Sequence, residues 1–220
     1  MADIIPQNFP IGGEQAIASY NFIDIAEGTG TVSFYGFSAD NGSSGATYVL
    51  SNNAQFSDDI YTSGSTLFSA PGNSFNLNFD SLAFNTQKRI KGTAVVTIPW
   101  AQNLTPSGGT SGAVQIRINK LSSGVSTELV SGATTYIGII GADVNYYLST
   151  IKIPIDTVQK FAKGDQIRVN VLGHVSNSSG NTQMSLAHDP QNRDGVGAYN
   201  VGVEIDTTIF KVDIPFVLDL

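Results

Sequence analysis

The segment VQIRIN at residues 114–119 alternates strictly between apolar and polar side chains, and FNLNFD at residues 75–80 does the same. Successive side chains of a β-strand point to opposite faces, so a period of two predicts strands with one buried face. The segments at residues 90–100 (IKGTAVVTIPW), 146–155 (YYLSTIKIPI) and 166–175 (QIRVNVLGHV) are rich in β-branched residues and also predict strands. Together these segments predict an all-β fold.

Two further strands are predicted outside these five, at residues 29–36 and 207–220, and the strand signals of the whole chain suggest about ten strands. The sequence LSSGVS at residues 121–126 is the clearest hairpin, because its Gly and Ser residues suit a tight turn between strands. Only residues 156–163 (DTVQKFAK) predict a helix, a short one that bridges two strands.

The domain organisation is predicted from the length of the chain and from the positions of its prolines and glycines. A chain of 220 residues is long enough for one large domain with its own core. Two prolines and a Gly-Gly pair make residues 1–19 irregular, and we predict an extended N-terminal arm there. Residues 20–220 are predicted to form one antiparallel two-sheet sandwich, most simply a jelly roll. Pro99, Pro154 and Pro215 lie inside strand patterns and predict sheet edges or bulges.

Composition excludes several classes of site. There is no cysteine, so disulfides, thiolate metal sites and cysteine nucleophiles are excluded. Lys and Arg total 11 against 18 Asp and Glu, a formal net charge of 11 − 18 = −7, with a sequence pI near 4.6. Such a chain is a poor binder of nucleic acid or anionic membranes. No apolar run reaches membrane-spanning length, and the N-terminus has no signal-peptide pattern, so we expect synthesis in the cytoplasm.

Residues typical of catalysis are scarce. The chain has two histidines, His174 and His188, and His188 is followed directly by Asp189, a spacing that cannot place the acid on the far ring nitrogen of a catalytic triad. No nucleophile elbow or phosphate-binding glycine motif occurs. We therefore expect no enzyme activity and no cofactor. Two carboxylate pairs remain open for glycoside hydrolysis, namely Asp58 with Asp59 and Glu204 with Asp206.

The segment HDPQNRDG at residues 188–195 is the most polar part of the C-terminal half. It fails the EF-hand spacing, although Asp189, Asn192 and Asp194 remain weak candidates for a hard-cation site. The simpler reading is a turn that starts at Asp189 and is closed by Arg193 pairing with a local carboxylate. A loop of this kind is also a reasonable contact surface, with His188, Asp189, Asn192, Arg193 and Asp194 as candidate interaction residues.

One cationic cluster stands out in this acidic chain, KRIK at residues 88–91. Its surroundings predict a strand, and the chain as a whole is negative. We therefore expect a solvated strand end or a contact between subunits, in preference to a nucleic-acid site.

Four segments resemble jelly-roll structural proteins of virions, of the kind encoded by tailed bacteriophages and archaeal viruses. They are residues 24–35 (DIAEGTGTVSFY), 90–100 (IKGTAVVTIPW), 186–194 (LAHDPQNRD) and 209–220 (IFKVDIPFVLDL). The resemblance implies a β-sandwich, a virion location and a function through assembly, and it carries no catalytic residues. Low charge, no cysteine and few histidines suit such a scaffold independently.

We therefore expect a capsid-associated subunit of the decoration, cement, vertex or turret type. Its partners would be other virion structural proteins or neighbouring copies in a homo-oligomer, with no nucleic acid or membrane bound. The arm is the expected anchor, through Ile4, Ile5 and Phe9, because an irregular arm can order on a neighbour.

The alternative is a receptor- or carbohydrate-binding module of a virion fibre or spike, with a host-surface glycan as its ligand. That reading requires exposed aromatic side chains clustered at one end of the sandwich. The candidates are Tyr61, Tyr136, Tyr146, Tyr147 and Tyr199. An enzyme such as a glycosidase or esterase ranks last, because no nucleophile–base pair is evident.

Overall fold

The computed structural model describes residues 18–19, 29–40, 46–63, 72–105, 110–139, 144–175, 181–193 and 207–217. Within these ranges every regular element is a strand, which confirms the all-β prediction. The strands are β1 (Ala18–Ser19), β2 (Thr29–Asp40), β3 (Ala46–Ser51), β4 (Tyr61–Ser63), β5 (Gly72–Ser81), β6 (Lys88–Thr105), β7 (Thr110–Ser122), β8 (Val125–Ala133), β9 (Ile137–Ile139), β10 (Val144–Phe161), β11 (Gln166–Val175), β12 (Asn181–Ala187) and β13 (Lys211–Val217).

The long strand β6 organises the first layer. One edge of β6 pairs with β10 along nearly its whole length. The other edge is shared: β12 pairs with its C-terminal half as far as Leu186 opposite Trp100, and β13 pairs with its N-terminal half from Lys211 opposite Thr97. We call the gap between these two partners the fork. Pro99, which lacks an N–H to donate, lies at the fork.

The sheet continues from β13 through β2 and β3 to β5, β11, β7 and β8. Pairing is antiparallel except between β3 and β5, where a short parallel contact places Val49 opposite Asp80. The sheet passes from one layer to the other at this pair of strands. Strand β10 of one layer contacts β8 of the other. A Cβ on Gly132 of β8 would lie 2.9 Å from Ile153 Cγ1 of β10, so glycine allows this close approach. The sandwich is confirmed, whereas jelly-roll connectivity stays a prediction.

Apolar side chains from both layers share one core, as the period-two patterns predict. The largest fully buried ones are Trp100, Phe79, Phe161, Phe210, Leu50, Ile90, Ile98, Ile116, Ile118, Ile153 and Ile155. Burying a side chain of this size stabilises the fold by about 1.5–3 kcal/mol relative to leaving it in water.

The predicted helix at residues 156–163 is wrong, because β10 continues to Phe161. The register against β6 shifts between Ile155 and Gln159, so the intervening residues 156–158 form a bulge in the strand. Phe161 then returns to the core and is fully buried. Core packing on both sides of the bulge therefore outweighs the helical pattern of a few exposed residues.

The observed hairpin turn and the positions of two prolines agree with the predictions from the sequence. The hairpin between β7 and β8 turns at Ser123 and Gly124, which have φ of 49° and 82°, as a two-residue type I′ turn requires. Pro154 lies on β10, which pairs only with β6 within the described ranges. Pro215 lies where the register between β13 and β6 shifts, and its side chain packs near Gly92, whose φ is 122°.

Several connections meet at one end of the sandwich, which we call the basal end. They are residues 82–87 between β5 and β6, 123–124 between β7 and β8, and 162–165 between β10 and β11. Gly164 N–H donates to the carbonyl of Phe84 at 2.9 Å, so two of these connections are bonded to each other.

The predicted arm lies outside the described residues apart from β1, which pairs with β2. No helix of membrane-spanning length and hydropathy occurs in the part of the chain that the structure describes.

Candidate interaction site

His188 leaves the end of β12 at the fork and is fully buried. Its ring packs edge-on against Tyr48 and Phe79, with centroid distances of 5.6 and 6.1 Å. Its Nε2 lies 2.7 Å from the Thr62 hydroxyl, and its Nδ1 lies 3.5 Å from the Ser57 hydroxyl. Burial lowers the pKa of His188 to about 4, so the imidazole is neutral at pH 7.

Hydroxyl groups extend this polar cluster towards β2. Ser57 Oγ accepts a hydrogen bond from Ser38 N–H at 3.0 Å and donates to the carbonyl of Asp59. Ser38 Oγ in turn accepts from Asp59 N–H at 3.0 Å. The loop that follows β3 is thereby fastened to β2 on one side and to His188 on the other.

Ser57 and His188 are separated by 131 residues, and no local sequence pattern predicts their contact. The contact differs from an activated nucleophile in two respects. Both side chains are fully buried, and the second ring nitrogen faces the Thr62 hydroxyl where a triad has a carboxylate. The arrangement fits a buried polar network that fixes a loop.

Asp189 closes the next loop. Its side chain is 0% exposed, and its Oδ2 accepts hydrogen bonds from Arg193 Nε at 2.8 Å and Arg193 N–H at 2.9 Å. Gln191 N–H approaches Oδ1 at 3.3 Å. The local pairing of Arg193 with a carboxylate, expected from the sequence, is therefore present.

Arg193 links this loop to the loop after β3. Its Nη2 donates to the carbonyl of Ser57, and its guanidinium carbon lies 4.2 Å from the centroid of the Phe56 ring. The Phe56 side chain is 59% exposed. We call residues 53–59 and 190–193 the two-loop platform, a surface that presents an aromatic ring and a cation on a buried polar base.

The weak cation candidates already have protein partners where they are described. The carboxylate of Asp189 is engaged as above, and Asn192 Oδ1 accepts from Thr208 N–H at 2.8 Å. Asn192 has φ of 51°, a conformation that asparagine tolerates well. Asp194 lies outside the described residues. No group of three or more His, Asp or Glu side chains in the described ranges is spaced to hold a metal ion.

Other predicted site residues are dispersed or lie beyond the described ranges. Asp58 and Asp59 are both exposed on the two-loop platform. The predicted anchor residues Ile4, Ile5 and Phe9, and the second carboxylate pair, Glu204 and Asp206, lie outside the described residues.

Three of the candidate tyrosines, Tyr61, Tyr146 and Tyr147, lie near Trp100 and Ala101 of β6, and each is partly buried. Tyr147 stacks on buried Trp100 at a centroid distance of 4.5 Å. Tyr61 and Tyr146 pack against a small separate cluster on another face of the sheet, and Tyr136 is exposed between β8 and β9. The fifth candidate, Tyr199, is not among the described residues.

Comparison with known proteins gives structural similarities only. No protein-family model matches the chain, and no curated protein matches it in sequence. An aminopeptidase from a marine sediment archaeon (Thaumarchaeota archaeon) is 7% identical, with a TM-score of 0.49 over 84% of this chain and 36% of that chain. An α-amino acid ester hydrolase is 11% identical, with a TM-score of 0.42 over 64% of this chain and 25% of its own.

A third similar structure is the VP2 subviral particle of infectious bursal disease virus, 14% identical, with a TM-score of 0.32 over 73% of this chain and 39% of that chain. The chain thus spans between a quarter and about two fifths of these three proteins.

Proposed function

We propose that this chain is a non-enzymatic structural subunit of a virion, a capsid-associated protein that acts through contacts with neighbouring subunits. Within that class we propose a decoration, cement, vertex or turret role. The resemblance of four sequence segments to jelly-roll virion proteins supports the location. The observation that carries the proposal is the two-loop platform, because it presents a prepared contact surface on a stable sandwich.

The platform has the features of an energetically important contact. Phe56 is held under Arg193, and Arg193 is held by the buried carboxylate of Asp189. Aromatic and arginine side chains dominate the binding energy of many protein interfaces. Side chains that are already fixed lose little conformational entropy when a partner binds, so a fixed platform favours assembly.

The buried polar cluster supports a non-enzymatic role. The Ser57 hydroxyl and the His188 ring are closed off from solvent, and their hydrogen bonds hold one platform loop in place. A catalytic pair needs access to substrate and a poised proton acceptor. A histidine kept neutral inside the protein serves packing and loop attachment instead.

Deletion of residues 1–13 tests the anchor part of this proposal. We expect the truncated chain to fold, because the observed core is built from strands that begin at Thr29 and later. We expect it to be lost from particles, because the arm would no longer dock on a neighbouring subunit. Particle occupancy is measured by quantitative mass spectrometry, and folding by thermal unfolding.

A full-length variant with Ile4, Ile5 and Phe9 changed to Ser separates side-chain contacts from chain length. It should lose occupancy to a similar degree. Full occupancy of both variants on particles would refute the anchor role of the arm.

A further inference from the structure

Positive charge is concentrated at the basal end. Seven of the eleven Lys and Arg residues of the chain lie there or within four residues of it: Lys88, Arg89, Lys91, Lys120, Lys160, Lys163 and Arg168. The acidic residues within the same limit are Asp80, Glu128 and Asp165. With these three included, the region carries 7 − 3 = +4. The remainder of the same chain therefore carries −7 − 4 = −11.

The acid nearest the middle of the basal end is already neutralised. Asp165 Oδ2 lies 3.1 Å from Lys120 Nζ, and hydrogen bonds from Ser122 and from Ala162 N–H lower the pKa of Asp165. Lys120 Nζ also donates to the carbonyl of Lys160 at 3.1 Å. The positive charges around this ion pair are thus held on rigid strand ends.

Two cations face each other on neighbouring strands. Arg89 of β6 lies directly opposite Lys160 of β10 in the register. Like charges in directly opposed positions destabilise a strand pair. Lys88, Lys91 and Lys163 add exposed positive charge at the same end. The exposed positive charge of Lys88, Lys91, Lys160 and Lys163 therefore favours an anionic partner.

Apolar side chains are exposed beside these cations. Leu82 lies in a basal connection, Val125 is the first residue of β8 and Val158 lies in the β10 bulge, and each is exposed. Single exposed apolar residues are normal, but three at one end beside a cationic cluster form a mixed surface. A partner that fits it must offer both negative charge and apolar area.

The two-loop platform has a complementary composition, because the charge of its Arg193 is paired with the buried Asp189 carboxylate while two further carboxylates are exposed. It carries the exposed ring of Phe56 next to the exposed Asp58 and Asp59. We propose that the basal end of one copy of the chain docks on the two-loop platform of a second copy, with the lysines facing these carboxylates. This inference deepens the proposed function, on which it rests, by naming the partner as a second copy.

The contact is head-to-tail, since it joins two different surfaces of the same chain. Such a contact closes into a ring or propagates as a filament, according to the rotation between copies. Every copy has both surfaces, so charge complementarity alone can drive repeated assembly. Salt weakens the contact because both sets of charges are exposed.

Self-association of the full-length chain, measured by sedimentation velocity, tests this contact. We expect the wild type to associate at about 0.1 M salt and to lose at least about tenfold in association constant at about 1 M salt, where the Debye length falls to about 3 Å. K160E should weaken association about tenfold, and D59K should do the same, because each leaves like charges facing across the contact. A mixture of K160E and D59K should associate, since the exchanged charges again attract.

K152E is the matched control. Lys152 is exposed on the same strand, and the substitution changes net charge by the same amount, but it lies opposite Val95, away from the basal end. We expect K152E to associate within about twofold of the wild type, because salt screens exposed charges that lie away from the contact. Equal loss in K152E and K160E would overturn the contact, because it would show a general effect of charge.

A monomeric wild type would also overturn the contact, as would retention of a sulfated polysaccharide such as heparin by the basal lysines without self-association. Neither result changes the expected particle occupancy. The proposed function is therefore tested separately, by the presence of the chain in particles.

Discussion

Arg193→Met is expected to lower the free energy of unfolding by about 3–5 kcal/mol at pH 7, the usual cost of leaving a buried charge without its partner. The carboxylate of Asp189 is fully buried, and Arg193 is the cation that contacts it. The substitution also removes the donor to the Ser57 carbonyl and the cation above the Phe56 ring. Both platform loops should therefore loosen, as measured by denaturant unfolding together with limited proteolysis.

Lys211→Met is the matched control for this substitution. Lys211 Nζ lies 3.0 Å from Asp213 Oδ1, but both side chains of this pair are partly exposed. Ion pairs of that kind contribute about 0–1 kcal/mol, so the control should change stability little. Similar losses in Arg193→Met and Lys211→Met would contradict the view that the buried Asp189 carboxylate anchors the platform.

Acid is expected to destabilise the protein through His188. Its pKa is about 4 in the folded chain and about 6.5 in the unfolded chain, so below pH 6.5 the unfolded state binds more protons. Stability is therefore fully present above pH 6.5 and falls as the pH is lowered towards 4. A difference of about 2.5 pKa units corresponds to a loss of about 3 kcal/mol.

The measurement is the free energy of unfolding from pH 7 to pH 4 for the wild type and for His188→Gln. The variant should be less stable at pH 7, because it loses the packing against Tyr48 and Phe79, but its stability should depend less on pH. His174→Gln is the control. Burial and the neighbouring Arg117 also lower the pKa of His174, but the side chain of His174 is only half-buried. If the free energy of unfolding of His188→Gln fell with pH in parallel with that of the wild type, His188 would not be the group that causes acid destabilisation.

Most of the fold follows from residue patterns of short range. The alternation at residues 114–119 and 75–80 predicts β7 and β5, and LSSGVS predicts the turn between β7 and β8. These signals are reliable because side-chain direction in a strand depends only on neighbouring residues. The helix predicted at residues 156–163 fails for the opposite reason, since the burial of Phe161 depends on distant strands.

The candidate site could be predicted only in part. Arg193 and Asp189 are four residues apart, so their pairing is visible in the sequence. The contribution of Phe56, Ser57 and Thr62 is not visible, because these residues lie more than 120 positions from His188 and Arg193. The fork brings them together, and the fork exists because two strands share one edge of β6. No local pattern encodes that sharing.

The copy number of this chain in particles purified from its source decides whether it is a virion subunit. Quantitative mass spectrometry gives this number relative to the most abundant shell protein. We predict a ratio of about one, or a simple fraction such as about one third, as expected for a subunit that follows the symmetry of the shell. A handful of copies per particle would favour a vertex or fibre position over a cement role. Complete absence from the particles would contradict the role of virion subunit.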